Sequence, residues 1–200
     1  MGQQANYVIF GFKHPVVSQS ATLYRVTQET FLQLETSNER GQFNIPAIAK
    51  SYSIFQGSFM GLEFVLSKGQ NKETADLIAE IFNPSKALGM QRDQEMDKLN
   101  EEDIFAMFES YESGETICYL DTNTVWQINT FLKTQSTAQV IARYDSEELN
   151  ENGIYPEVWS AGSSQDTAFN ERHISEGLTE LKQIFEAADL EQDLILVFVG

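Results

Sequence analysis

An α+β fold is the class that this sequence predicts, and three observations carry it. Apolar runs rich in aromatic and β-branched residues stand near both ends, at Tyr7–Phe12 and in LILVFV at Leu194–Val199. Between them, apolar residues recur mostly at helical spacing. Strands and helices do not alternate regularly, so a small mixed sheet holding both terminal strands, with several helices packed on it, fits better than a doubly wound one. The 200 residues suit a single domain over 1–200 that buries roughly 70% of the surface of its unfolded chain.

The elements follow in order. Pro15 ends the first strand, and Thr27 caps a helix through Thr36 with Val26, Phe31 and Leu34 inward. Pro46 opens a long helix. Its stripe Ile48, Tyr52, Phe55, Phe59, Leu62 and Leu66 steps by four, three, four, three and four residues. Gly57 and Gly61 lie on it four apart, where small residues permit tight packing. Gly69-Gln70-Asn71 is a loop, Thr74–Phe82 a short helix, and Asn83-Pro84 its end. Gln91–Asn100 reads as a solvated stretch, followed by a helix from Asn100 to Tyr111 that Gly114 stops.

Glu115–Leu120 is a strand, and Asp121 or Thr122 caps a helix with Val125, Ile128, Phe131 and Leu132 inward. Ser136 caps a helix to about Tyr144. Asp145 caps one more turn, which Asn152-Gly153 closes with a left-handed C-cap. Ala161–Thr167 is a polar loop. The last helix spans about Phe169–Ala188, with Ile174, Leu178, Leu181 and Phe185 inward, and Asp193–Val199 is a strand covered on both faces.

Several islands along this path resemble the YfbM-like proteins of bacteria. They are Met1-Gly2 with the strand ending near Phe12, KSYSIFQGSFMGLEFVLSKG at Lys50–Gly69, FNPSKALG at Phe82–Gly89, CYLD at Cys118–Asp121 with Val125 after it, Tyr144-Asp145 through Leu149-Asn150 with Ile154-Tyr155-Pro156, and the closing apolar strand. The order and spacing of the islands carry the resemblance. Met90–Glu115 departs from it as an insertion or diverged region, and Lys50-Ser51-Tyr52 stands where the family often has a Trp. The resemblance implies a one-domain α+β fold and no catalytic residues, since no activity is established for that family.

Charge and motifs narrow the function. Thirteen Lys and Arg against 30 Asp and Glu give a net charge of −17. Such a surface repels nucleic acid and anionic lipid and attracts a basic partner. The lone Cys118 lies in an apolar strand and reads as a packed thiol. No cofactor and no metal are expected. His14 and His173 have no HExxH context, no phosphate-binding glycine loop occurs, and Asp93, Glu95 and Asp97 lack the glycine and glutamate that a calcium loop needs. Glu101-Glu102-Asp103 suits the positive end of a helix. The first residues carry no cationic start or long apolar core, and no apolar run reaches the ~20 residues of a membrane span, so a cytoplasmic protein is expected.

The residues singled out for binding are Arg143, Tyr144, Asp145, Asn150, Tyr155 and Trp159, a mix of cation, hydrogen-bonding groups and amphipathic rings. The leading expectation is a non-enzymatic acidic domain that binds a basic protein, with immunity-type proteins that neutralise a toxin as the model. The alternatives are a hydrolase using paired carboxylates in a cleft, with Arg143 or Tyr155, and a plain structural or oligomerisation module. A cleft joining two carboxylates near Arg143 would favour the enzyme.

Overall fold

The computed structural model describes residues 6–9, 12–15, 20–89, 116–167 and 169–200. The solvated stretch and helix expected within 90–115 lie outside these residues. Two short strands, β1 (Asn6–Ile9) and β2 (Phe12–Pro15), pair antiparallel with each other. They divide the stretch read as a single strand, and they form a sheet of their own.

The main sheet has five strands: β3 (Ser20–Val26), β4 (Ser51–Gln56), β5 (Lys86–Leu88), β6 (Ile117–Leu120) and β7 (Leu194–Val199). Their order is β4-β3-β7-β6-β5, so the C-terminal strand is central. The sequence pattern suggested a mixed sheet. The registers, such as Leu23 opposite both Ser53 and Val197, make every pairing antiparallel. The α+β expectation holds, with helices packed on one small sheet.

Residues along β7 alternate between two cores, because successive side chains in a strand point to opposite faces. Ile195 and Val197 join Ala21, Leu23, Phe55 and Leu120 on one face. Leu194 and Leu196 join Val26 and Ile117 on the other. The first face is the thicker. It is covered by α3 (Phe59–Ser67), α4 (Lys72–Ala79), α5 (Thr122–Thr134), α6 (Thr137–Ile141), α7 (Ser146–Glu151) and the long α8 (Glu171–Glu191). The second face carries α1 (Gln28–Thr36) through Leu34 and α2 (Ile45–Ile48) through Ile45. Beyond them, Tyr52 and Ile54 of β4 are 56% and 47% exposed.

The capping residues read from the sequence do their work. Thr27 accepts from the Thr30 N–H, Asp121 from Thr124, Ser136 from Gln139 and Asp145 from Glu147 and Glu148, so each satisfies helix N–H groups that would otherwise lack a partner. Cys118 is buried and unbonded to other sulfur, as a packed thiol should be. The long helix expected from Pro46 to Leu66 is corrected. Only Ile45–Ile48 and Phe59–Ser67 are helical, and the SYSIFQ between them is β4. Its Tyr, Ile and Phe have strand propensity, and pairing with β3 fixes them there. Gly57 then turns the chain with φ at 63°, a left-handed conformation that only glycine adopts without strain.

A four-residue ion cluster clasps one end of the sheet. Asp193, 3% exposed, lies 2.9 Å from Lys50 Nζ and 3.5 Å from Arg25 Nε. Glu191 lies 3.5 Å from Arg25 and pairs with Lys50 as well. Three strands thereby meet: Arg25 stands in β3, and Lys50 and Asp193 stand just before β4 and β7.

Candidate functional site

The six residues singled out in the sequence come together where α3, α6 and α7 meet the segment leading to α8. Arg143 follows α6. Its Nη2 donates to Gln135 Oε1 at 2.8 Å and its Nη1 to the Leu66 carbonyl at 3.4 Å, while its own carbonyl accepts from Lys68 Nζ at 3.2 Å. Burial lowers its pKa. The Tyr144 hydroxyl donates to the Ser160 carbonyl at 2.7 Å. Burial first, then the charges of Glu171 and Asp145, push its pKa up to about 12. Asp145 is spent as the α7 cap.

Asn150 and Trp159 are joined as two strand residues would be. The Asn150 amide donates to the Trp159 carbonyl at 2.9 Å and accepts from the Trp159 N–H at 2.8 Å. Both peptide groups of a segment without regular secondary structure are satisfied in this way. Trp159 is 4% exposed, its indole N–H donates to the Ile154 carbonyl at 2.9 Å, and its ring meets Tyr144 edge-on at 6.3 Å. The far edge of the indole rests on Gly61. A Cβ built there would stand 2.3 Å from two ring carbons. Gly57 is bounded likewise, by Phe169 at 2.8 Å and Tyr155 at 3.4 Å from such a Cβ. The tight packing expected at the two glycines is present, and aromatic rings make it.

An aromatic chain leads from this cluster to a cleft. Trp159 meets Phe169 at 5.8 Å, and Phe169 stacks on His173 at 5.7 Å and 26°. Phe169 holds φ at 56°, a costly conformation for a bulky residue. Directly after it, Asn170 caps α8 by accepting from the Arg172 N–H, and its amide also donates to the carbonyls of Ser164 and Thr167 at 2.8 and 3.0 Å. Those bonds fix the polar loop expected at Ala161–Thr167.

The cleft holds about 200 Å³ and lies between α8 and the β4–α3 turn, lined by Phe55, Ser58, His173, Glu176, Gly177 and Glu180 among others. Burial and the Arg172 charge hold the His173 pKa below its ordinary value, against the opposing pull of Glu176. Its Nδ1 accepts from the Asn170 N–H at 3.4 Å, which suits a neutral ring. Glu176 is bound by Arg172 Nη1 at 3.0 Å to each oxygen. Glu180 has its pKa raised by burial and then by Glu176, and among the described residues its carboxylate has no hydrogen bond or ion pair. Ser58 and His173 share no hydrogen bond, and Arg143 does not line the cleft. No group of three His, Cys, Asp or Glu among the described residues is arranged to hold a metal ion. What the cleft can do is accept a cation against one unneutralised carboxylate, in a mostly polar lining.

Sequence reasoning passed over this cleft. His173, Glu176 and Glu180 do stand three and four residues apart on one helix, so they were legible as a row. Ser58 reaches them only through the fold.

A family profile, that of a domain of unknown function (DUF1877), matches residues 18–198. The chain belongs to this family. The solved structure of a protein of unknown function, YfbM from Escherichia coli, is similar to the chain at a TM-score of 0.51 and 10% identity. The likeness covers 90% of this chain and 99% of that one. At that identity it shows the fold, and it agrees with the resemblance drawn from the islands above. No curated protein matches. Among the described residues no helix is long and apolar enough to cross a membrane.

Proposed function

We propose that this DUF1877 chain is a single cytoplasmic domain over 1–200 that captures a basic protein and performs no chemistry of its own. The immunity-type proteins that neutralise basic toxins are the closest functional class. One observation carries the reading: Glu180 stands in an open cleft beside Glu176 with no ion pair among the described residues. Arg172 neutralises Glu176, but Glu180 is left without a counter-ion among the described residues, and a basic partner would supply one. The net charge of −17 would steer such a partner from a distance. The six clustered residues, by contrast, are largely spent on structural bonds, Asn150 and Trp159 with each other and Arg143, Tyr144 and Asp145 with neighbouring groups, and their part in binding is to hold Phe169 and α8 in place.

Affinity capture from a native lysate, at low salt and again at high salt, tests the proposal. The expected result is a basic protein that elutes as salt rises and binds the Glu176→Lys, Glu180→Lys double variant poorly. Recovery of no partner at low salt, or of one indifferent to salt and to both substitutions, overturns it.

A further inference from the structure

A second groove, far larger than the cleft, lies on the other face of the sheet. It holds about 500 Å³ between α1 and the start of α5, lined by Gln28, Glu29, Phe31, Leu32, Glu35, Asp121, Thr122 and Leu194. Leu194 is buried, and Leu32 is 55% exposed. Asp121 is already committed, since it caps α5 and pairs with Lys86. Among the described residues the carboxylates of Glu29 and Glu35 have no hydrogen bond or ion pair.

Local structure accounts for Glu29, which lies in the first turn of α1, where the helix dipole favours a negative charge. It does not account for Glu35, which lies in the last turn, where the dipole opposes it and no basic residue of the turn answers it; Arg40, beyond the helix, donates its Nη2 to the Glu35 backbone carbonyl at 3.2 Å and not to the carboxylate. Glu29, Leu32 and Glu35 step by three residues, one inclined row along the helix. The row places an exposed leucine between two carboxylates that form no ion pair among the described residues and stand about 9 Å apart along the axis, at 1.5 Å per residue.

We infer that this groove docks an amphipathic basic segment of a partner protein, which seats a bulky apolar side chain against Phe31, Leu32 and Leu194 and sets a Lys or Arg against each of Glu29 and Glu35. The inference rests on the reading of a basic protein partner and gives that partner a place and a chemistry. Charge complementarity selects the occupant: a second copy of this acidic chain would bring its own negative charge to the same row.

Two labelled peptides of equal charge serve as probes, one of lysines and leucines and one of lysines and serines, read by fluorescence anisotropy on the full chain. The leucine peptide should bind at least about tenfold more tightly. Leu32→Ser should weaken it about fivefold, the worth of burying half a leucine side chain. Glu29→Gln with Glu35→Gln should weaken both peptides and flatten the salt dependence. All three positions are exposed, so circular dichroism and Tm should stay unchanged. If Glu176→Gln with Glu180→Gln abolishes binding and the α1 variants do not, the groove inference falls and the basic-partner reading stands. Equal affinity for the two peptides likewise sinks the groove. Failure of both peptides to bind at low salt sinks both readings. Self-association that Leu32→Ser abolishes would assign the groove to a second copy and overturn the inference.

Discussion

Gly61→Ala puts the packing of the site to a direct test. In most helices this change stabilises by ~1 kcal/mol, because alanine loses less backbone entropy on folding. Gly61 lies within α3, so it should share that gain. Here the new methyl would stand 2.3 Å from both Cζ2 and Cη2 of Trp159. The indole cannot slide away cheaply. Its N–H is bound to Ile154, and its backbone is held twice by Asn150. Overpacking of this kind costs ~1–3 kcal/mol, and the locked ring argues for the upper end. Set against the helix gain, the net loss is about 2 kcal/mol, or a fall in Tm of about 4–8 °C for a chain of this size. Differential scanning calorimetry measures it. The sharper reading comes from Trp159→Phe, which removes both clashing carbons. In that background Gly61→Ala should cost nothing or stabilise, a coupling of about 2 kcal/mol in a double-mutant cycle. An unchanged or raised Tm for Gly61→Ala alone, or additive effects in the cycle, would refute the claim that the indole is wedged on this glycine.

Two further outcomes are expected. Asp193→Ala should cost about 3 kcal/mol in urea unfolding, because it takes the buried carboxylate from the mostly buried Arg25 and leaves the solvent-screened Glu191 opposite it, whereas Glu191→Gln, at a far more exposed position, should change little; equal effects would show that the clasp is a surface pair. The Tyr144 pKa stands above the ordinary 10.0, so the unfolded chain loses this proton first. Stability from this group is therefore full below pH 10 and falls as pH rises towards about 12. Tyr24 and Tyr119 are also held above the ordinary value by burial, so an ultraviolet phenolate titration should show several late-ionising tyrosines, of which Tyr144→Phe removes a component near pH 12; wild-type and variant curves that superpose at the alkaline end would contradict the burial argument.

The stripe from Ile48 to Leu66 shows how far pattern alone can go. Its four-three spacing is a helical period, yet it is built by a short helix at Ile48, a strand at Tyr52 and Phe55, a Gly57 turn and a second helix from Phe59. Phe55, Phe59, Leu62 and Leu66 are buried all the same, because strand and helix each point them at the thick core. Tyr52 and Ile48 expose the error: Tyr52 stands 56% open on the thin face, and Ile48 packs against the core of that same face. Ser20–Val26 escaped notice for the opposite reason. Its SATLYRV is too polar to read as a strand beside the sheet centre, and its place is fixed by pairing on both edges.

What the amino acids settled unaided is local or summed: the α+β class, the caps at Thr27, Asp121, Ser136 and Asp145, the buried faces of the long helices, and the acidity. Each depends on neighbours within a few residues or on a total over the chain, and both can be read from a string. The joining of Asn150 to Trp159, the wedge of that indole on Gly61, and the placing of Ser58 and Glu180 along one cleft were decided by tertiary structure. These pairs bridge nine, 98 and 122 positions along the chain, and only the closing of the sheet and the docking of α8 bring such distant groups together.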